Sequence, residues 1–272
     1  MDLVELAEVV EANLMFKITA IEPSLLERLG ITGRRFGRGI ALSLRNDPSQ
    51  YWSRVQGLGL DGPVTAELIG EVVDFHRAAG TPAAHFHLPP AVLPADWDDI
   101  RETYGLEPGG TIVKLLRDDA PVEPAESSLR IGPVDPADSD GHRAWADIQI
   151  LAFEMPDPEG LLAEMLAALT VVPGFQAYGA WDGDKLVATG GLYVEDEVGE
   201  CVSASTLPEY RGRGAQSALI ARRVQDALAA GCKWVSTETG KPAEGEQNPS
   251  LDNMQRAGFK PLYDRQSWVW RP

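Results

Sequence analysis

The stretch Ser203-Ala204-Ser205-Thr206-Leu207-Pro208-Glu209-Tyr210-Arg211-Gly212-Arg213-Gly214-Ala215-Gln216-Ser217-Ala218-Leu219 decides how this chain is read. It starts as a strand, passes a proline and two glycines, and opens directly into an amphipathic helix. Ala218, Leu219, Val224, Ala227 and Leu228 give that helix one apolar stripe, and Gly231 stops it. Gly212 and Gly214 lack a Cβ, so the backbone there can adopt positive φ and lie close to a ligand. The first N–H groups of a helix have no partner within it and stand at the positive end of its dipole. Such a turn suits a pyrophosphate, and Arg211 and Arg213 add positive charge.

Working outward, strands are expected at Phe175–Trp181, Leu186–Val194 and Glu200–Leu207, the first two joined through Asp182-Gly183-Asp184. A helix over Ala215–Ala230, a strand over Lys233–Thr239, a helix over Ser250–Ala257 and a strand over Tyr263–Trp270 follow. A strand near Leu129–Gly132 and helices over Asp140–Phe153 and Pro158–Leu169 come before. The segment Arg117–Leu129 is acidic, rich in Pro, Ala and Ser and without periodicity, which reads as an interdomain linker.

The N-terminal part, residues 1–120, repeats the alternation. Helices are expected at Leu3–Lys17, where Leu6, Val9, Val10 and Leu14 recur at helical steps, and at Pro23–Leu29 with Gly30 as C-cap. Strands at Gly39–Leu44 and Arg54–Leu60, a helix at Val64–Ala79, a strand at Ala83–Leu88, a helix at Trp97–Tyr104 and a strand at Thr111–Leu116 complete it. The order over Arg54–Leu116 matches that over Glu200–Trp270, which predicts a decayed internal duplication. In place of the phosphate loop this half has Gly59-Leu60-Asp61-Gly62-Pro63-Val64. It carries no arginine, sets a carboxylate where phosphate would lie, and loses an N–H at Pro63.

The chain has 272 residues, of which 44% are hydrophobic, enough for two ordinary domains with real cores. Its formal charge of −17 opposes nucleic acid and anionic membranes and suits a cationic substrate such as an amine. No apolar run approaches the roughly 20 residues that span a bilayer, and the acidic start lacks signal-peptide features. Cys201 and Cys232 read as core residues of a protein in a reducing compartment, the cytoplasm by default. His85 and His87 share a strand face, but a third ligand is missing, so no metal is expected.

The residues from about Leu129 to Trp270 resemble the GNAT superfamily of N-acetyltransferases. Its loop reads Gln/Arg-x-x-Gly-x-Gly/Ala after a strand ending near a proline. Arg211, Gly214 and Pro208 fit, and Ala257-Gly258-Phe259 stands where that family has a similar turn before its last strands. Gln216 departs from the motif at its sixth position. The resemblance implies a mixed α/β fold of two tandem GNAT-like units, the first degenerate (residues 1–120) and the second complete (residues 129–272). It implies acetyl-CoA as cosubstrate, entering where the strands Glu200–Leu207 and Lys233–Thr239 splay apart. Ser205, Thr206 and Leu207 would meet the pantetheine arm, and Arg211, Gly212, Arg213, Gly214, Ala215 and Gln216 the pyrophosphate. The acceptor would be a primary amine of a small molecule or peptide.

The proton acceptor that the resemblance implies is Glu200, with Glu238 as the second candidate. Alternation along the strand would set Glu200, Val202, Ala204 and Thr206 on one face. Substrate contacts are expected from the junction of the two helices, at Phe153 and Glu154 with Met155 and Asp157. The family's usual thiolate-protonating tyrosine is replaced by Met254. An enzyme and a non-catalytic acyl-CoA sensor or scaffold are therefore both carried forward.

Overall fold

The computed structural model describes residues 2–272 and divides into two compact units. One comprises Met1–Lys114 and Leu262–Pro272, the other Leu115–Pro261. The closing residues of the chain thus group with the first unit. The Arg117–Leu129 segment is part of the second.

In the first unit, α1 (Leu3–Phe16) is N-capped by the Asp2 side chain, which accepts from Val4 N–H. α2 (Pro23–Leu29) ends on Gly30 at φ 62°, the left-handed C-cap the sequence called for. The strands β1 (Ile31–Phe36), β2 (Gly39–Leu44), β3 (Arg54–Gln56), β4 (Ala84–His87) and β5 (Leu106–Asp118) are joined by the last strand of the chain, β11 (Lys260–Trp270). Their order is β1-β2-β3-β4-β11-β5, with β3 and β4 parallel and β11 antiparallel to β4. β1 was not expected. Its sequence, ITGRRF, is mostly exposed at the sheet edge, so it carries no apolar alternation to read. The helices α3 (Ala66–Ala79) and α4 (Trp97–Tyr104) cover a core of Val55, Ile69, Val72, Phe86, Trp97 and Trp270.

The buried face of α1 differs from its apolar periodicity. Glu8 and Glu11 are buried with Ala7, Val10 and Leu14. The reason lies far away in sequence. Arg265 on β11 donates to Glu8 Oε1 at 2.7 Å and forks onto both oxygens of Glu11 at 3.0 Å, and Lys114 Nζ reaches Glu11 Oε2 at 2.8 Å. A buried carboxylate persists only when paired in this way. Burial alone would raise the pKa of Glu11, but Arg265 and Lys114 more than offset it and hold the group well below the carboxylate range. For Glu8, burial prevails over Arg265 and raises the pKa.

The second unit contains β6 (Arg130–Pro133), α5 (Ser139–Ala152), α6 (Leu161–Leu169), β7 (Phe175–Asp182), β8 (Lys185–Glu195) and β9 (Val198–Thr206). After them come α7 (Ala215–Ala229), β10 (Trp234–Gly240) and α8 (Pro249–Arg256). Strands β6 to β9 form an antiparallel run, and β10 joins β9 in parallel after the α7 crossover. Helices α5 and α7 lie on opposite faces of β8. Thr189 points to Gln149 of α5, while a Cβ on the next residue, Gly190, would strike Arg223 of α7. Along the chain, the element order from α5 to β11 repeats that from α1 to β5: two helices, three strands, helix, strand, helix, strand.

Candidate active site

The site is built where β9 leaves β10. The two strands pair from Val198↔Trp234 to Cys201↔Thr237, and the Thr237 hydroxyl closes the ladder by donating to the Cys201 carbonyl at 2.8 Å. Beyond that rung β9 continues to Thr206 and β10 to Gly240 without pairing to each other. This is the splay that the sequence reading expected between these strands.

On its other side β9 carries a bulge. The register with β8 passes from Gly191↔Val202 to Thr189↔Ser205, so Ser203 and Ala204 take up extra length, and Ser203 stands at φ +54°. Positive φ in a serine is strained, and it persists where the surroundings hold it. The bulge also ends the expected alternation: Glu200, Val202, Ala204 and Thr206 do not follow one uninterrupted strand face. Buried side chains grip the carbonyls through this segment. Arg223 Nη1 donates to Gly191 O and Val202 O, both at 3.1 Å. Gln149 Nε2 donates to Ser203 O at 2.7 Å, and Gln216 Nε2 to Ser205 O at 2.7 Å.

The loop after β9 turns through Pro208–Tyr210, and Gly212 and Gly214 adopt φ +76° and +77°. Gly214 is the N-cap of α7, with no side chain capping the helix, so its first N–H groups have no capping side chain. The two glycines serve different ends. A Cβ on Gly212 would meet open space, whereas one on Gly214 would collide with the Glu126 carbonyl. The close approach at Gly214 is therefore made by the chain's own segment, whose Ser127 hydroxyl donates to Arg213 O at 3.0 Å.

The two arginines differ likewise. Arg213 holds Asp182 at 2.8 and 3.1 Å and Ser128 Oγ at 3.2 Å, tying the β7–β8 turn to the loop. Arg211 is exposed and makes no ion pair among the described residues. The loop cation directed to solvent is Arg211. Gln216, at the position where the motif differs, sends its amide back to Ser205 O, Thr189 O and Thr206 Oγ1, and its Oε1 is buried without a partner. Ala215 is buried beneath it, Ser205 is buried, and Thr206 and Leu207 are half-buried.

Glu200 is fully buried and pairs one rung before the strands separate, opposite Ser236, whose hydroxyl donates to Glu200 Oε2. It is not an exposed strand-end carboxylate, although Glu195, Asp196 and Glu197 stand close to it in sequence. Glu238 is half-buried and follows the last paired residue of β10. Phe153 and Glu154 are exposed just past α5, with Glu154 at φ +51°. Asp157 instead caps α6, accepting from Leu162 N–H and Ala163 N–H at 3.0 and 2.9 Å. Trp145 and Phe153 share no environment, since Trp145 is buried and Phe153 is 57% exposed. Met254 is buried in the core. Burial pushes the Cys201 thiol up to about 11, so it is not a thiolate near neutral pH. Sequence reasoning missed Gln149 and Arg223, because their acceptors are backbone carbonyls that leave no mark in the sequence.

Two strands that part beside an uncapped helix start, with a cation at the turn, form a place suited to an anionic group such as a phosphate. Residues 142–248 match the family model described as the acetyltransferase (GNAT) family. Among solved structures, a GCN5-related N-acetyltransferase from Kribbella flavida superposes with a TM-score of 0.64 at 15% identity, covering 97% of this chain and 95% of that one. A GCN5-related N-acetyltransferase from Sphaerobacter thermophilus gives 0.61 at 14% identity, covering 86% and 81%. A tandem GNAT protein from the clavulanic acid biosynthesis pathway gives 0.59 at 15% identity, covering 95% and 87%. These likenesses establish the fold: a mixed α/β chain of the tandem GNAT kind. No curated protein matches the chain by sequence. No helix among the described residues is long and apolar enough to cross a membrane.

Proposed function

We propose that the second unit is an N-acetyltransferase that moves an acetyl group from acetyl-CoA to a primary amine of a small molecule or peptide. The observation that carries this reading is the parting of β9 and β10 after Cys201↔Thr237, beside the uncapped start of α7. Acetyl-CoA would lie along Ser205, Thr206 and Leu207, with its pyrophosphate at the N–H groups of Gly212 to Gln216 and the guanidinium of Arg211. Arg213 supports the loop from behind through Asp182. The net charge of −17 favours a cationic acceptor. The two buried free cysteines suit the cytoplasm.

Transfer is direct. The neutral amine attacks the thioester carbonyl, a C–N bond forms, the C–S bond breaks, and the amine proton passes to Glu200 through water. The position of Glu200 one rung before the split supports this role, and Glu238 on β10 is the alternative. The buried thiol of Cys201, pushed up to about 11, is unsuited to an acyl-cysteine intermediate. The Met254 sulfur has no proton to give, so the departing thiolate takes its proton from water or from another hydroxyl. The substrate side is the exposed Phe153–Glu154 turn after α5.

The second reading, a sensor that binds acyl-CoA without turnover, draws on buried Met254 and the buried position of Glu200. Thiol release from acetyl-CoA across small amines, aminoglycosides and peptides separates the two. Turnover with any of them is the expected result. Binding of CoA with no thiol release across the panel favours the sensor.

A further inference from the structure

The strained bulge on β9 has a buried partner that the proposed reaction has not yet used. Gln149 lies on α5, is 3% exposed, and gives its amide to Ser203 O at 2.7 Å, to Ser205 Oγ at 3.1 Å and to Thr189 Oγ1. Thr189 and Ser205 are themselves joined through their hydroxyls at 2.7 Å. A buried polar cluster of this kind is costly unless its members are satisfied, and once satisfied it fixes one geometry. What it fixes here is the peptide between Ser203 and Ala204. In a trans peptide the C=O and the following N–H point in opposite directions. With the Ser203 carbonyl turned to Gln149 of α5, the Ala204 N–H is directed away from α5, on the stretch of β9 that lies beyond its last rung with β10.

We propose that Gln149 is a positioning residue for acyl transfer: by holding the Ser203 carbonyl it aims the Ala204 N–H at the thioester carbonyl oxygen of an acyl-CoA lying between β9 and β10. The inference rests on the acyltransferase reading above. A backbone N–H of this strand meeting the thioester carbonyl is what the GNAT resemblance itself implies, and the inference adds the side chain that sets it. A hydrogen-bond donor fixed where negative charge develops on the carbonyl oxygen stabilises the tetrahedral intermediate without reorganisation at the moment of reaction. Without Gln149 the bulge keeps its length, but the Ser203 carbonyl loses its shortest hydrogen bond and keeps only the Thr189 hydroxyl at 3.5 Å, so the strained φ at Ser203 is held less firmly.

The test is the carbonyl stretch of acetyl-CoA, labelled with carbon-13 at the thioester carbonyl, bound to the full chain. Wild type, Gln149→Met, which keeps the volume and removes the donors, and Trp145→Phe are compared. Trp145 donates from Nε1 to Tyr178 O and to Gly190 O, on the β8 side of the bulge, and makes no hydrogen bond to Ser203, Ala204 or Ser205. The band is expected at higher frequency in Gln149→Met than in wild type, and unmoved in Trp145→Phe even though that variant is less stable. With an amine found in the panel, kcat should fall on the order of 10²-fold in Gln149→Met, while the affinity for CoA stays within about threefold, since the phosphate loop is untouched. An identical band in wild type and Gln149→Met, or an equal displacement in Trp145→Phe, overturns the positioning role and leaves the acyltransferase reading standing. Failure of wild type to bind acetyl-CoA overturns both. If Gln149→Met does not fold, Gln149→Glu, of equal volume and unable to donate when ionised, is read by the same criteria.

Discussion

The two halves of this chain repeat one order of elements and treat the same junction in opposite ways. In the first unit β3 and β4 pair from Arg54↔His85 to Gln56↔His87, the last residue of each strand. In the second, β9 and β10 separate after Cys201↔Thr237 and run on unpaired to each other. The helix starts differ too. Thr65 caps α3 by accepting from Leu68 N–H at 3.1 Å, while α7 begins at Gly214 with no capping side chain. A Cβ on Gly59, in the loop before α3, would collide with no ligand space but with Val92 and Val64. Asp61 of that loop accepts from Arg38 N–H at 2.9 Å, closing the β1–β2 turn. At this junction the first unit pairs its strands to their ends and caps its helix, whereas the second does neither. The lesson is that a fold of this kind keeps its element order when the site is lost, and the loss is legible in caps and strand ends.

The largest effect should come from the proposed proton acceptor. Glu200→Gln keeps the shape and the contact with Ser236, and is expected to lower kcat by about 10²–10⁴-fold with CoA affinity nearly unchanged. Steady-state kinetics together with CoA titration check this. Retained kcat shifts attention to Glu238. Glu200→Gln sharpens the contrast between the units, because the paired end of β3 and β4 holds no ligand for a base to serve.

The first unit should respond in stability instead. Glu11→Ala leaves Arg265 and Lys114 facing a buried hole, which costs about 3–5 kcal/mol when a buried pair is broken, measured as the shift in urea midpoint. The pH dependence has a definite sign. The folded-state pKa of Glu11 is held well below its unfolded value, so its contribution is full above the unfolded pKa and is lost as pH falls through the folded one. The difference between wild type and Glu11→Gln should therefore be largest near neutral pH and shrink toward acid. The raised Glu8 acts oppositely, favouring folding more as it takes up its proton. A difference that grows on acidification would contradict the assignment.

The smallest effect concerns the cap. Thr65→Ala should cost about 1 kcal/mol, read from thermal unfolding, and leave CoA binding as in wild type. A change in CoA affinity would mean that the first unit takes part in binding and would erase the comparison.

The site and fold were unequally readable. Gly212, Gly214 and Pro208 announced the loop because only a few residues tolerate positive φ or end a strand so abruptly, and Gly30 announced the end of α2 for the same reason. The edge strand β1 went unread because exposed Gly33, Arg34 and Arg35 leave no apolar alternation. The buried glutamates of α1 were invisible because their partners, Lys114 and Arg265, are distant in sequence. The bulge at Ser203 was invisible as well. Its cause is a set of side-chain to carbonyl bonds from Gln149, Gln216 and Arg223, which no local pattern encodes. Arg211 and Arg213 looked alike in sequence, and only the position of Asp182 separates the loop cation from the strut.

The claim that one unit binds the cosubstrate and the other does not is tested most directly by calorimetric titration of CoA into the full chain, wild type and Arg211→Glu with Gly212→Asp. Gly212 is chosen because a side chain there meets open space and does not displace Glu126, and Asp is chosen because it tolerates the left-handed φ of +76° better than most residues. Wild type should bind one CoA per chain, and thermal unfolding should show a gain of about 2.7 kcal/mol at a hundredfold excess over Kd. The double variant should remain folded and lose both signals. Two CoA molecules per chain, no binding by folded wild type at millimolar CoA, or undiminished binding by the double variant would contradict the account.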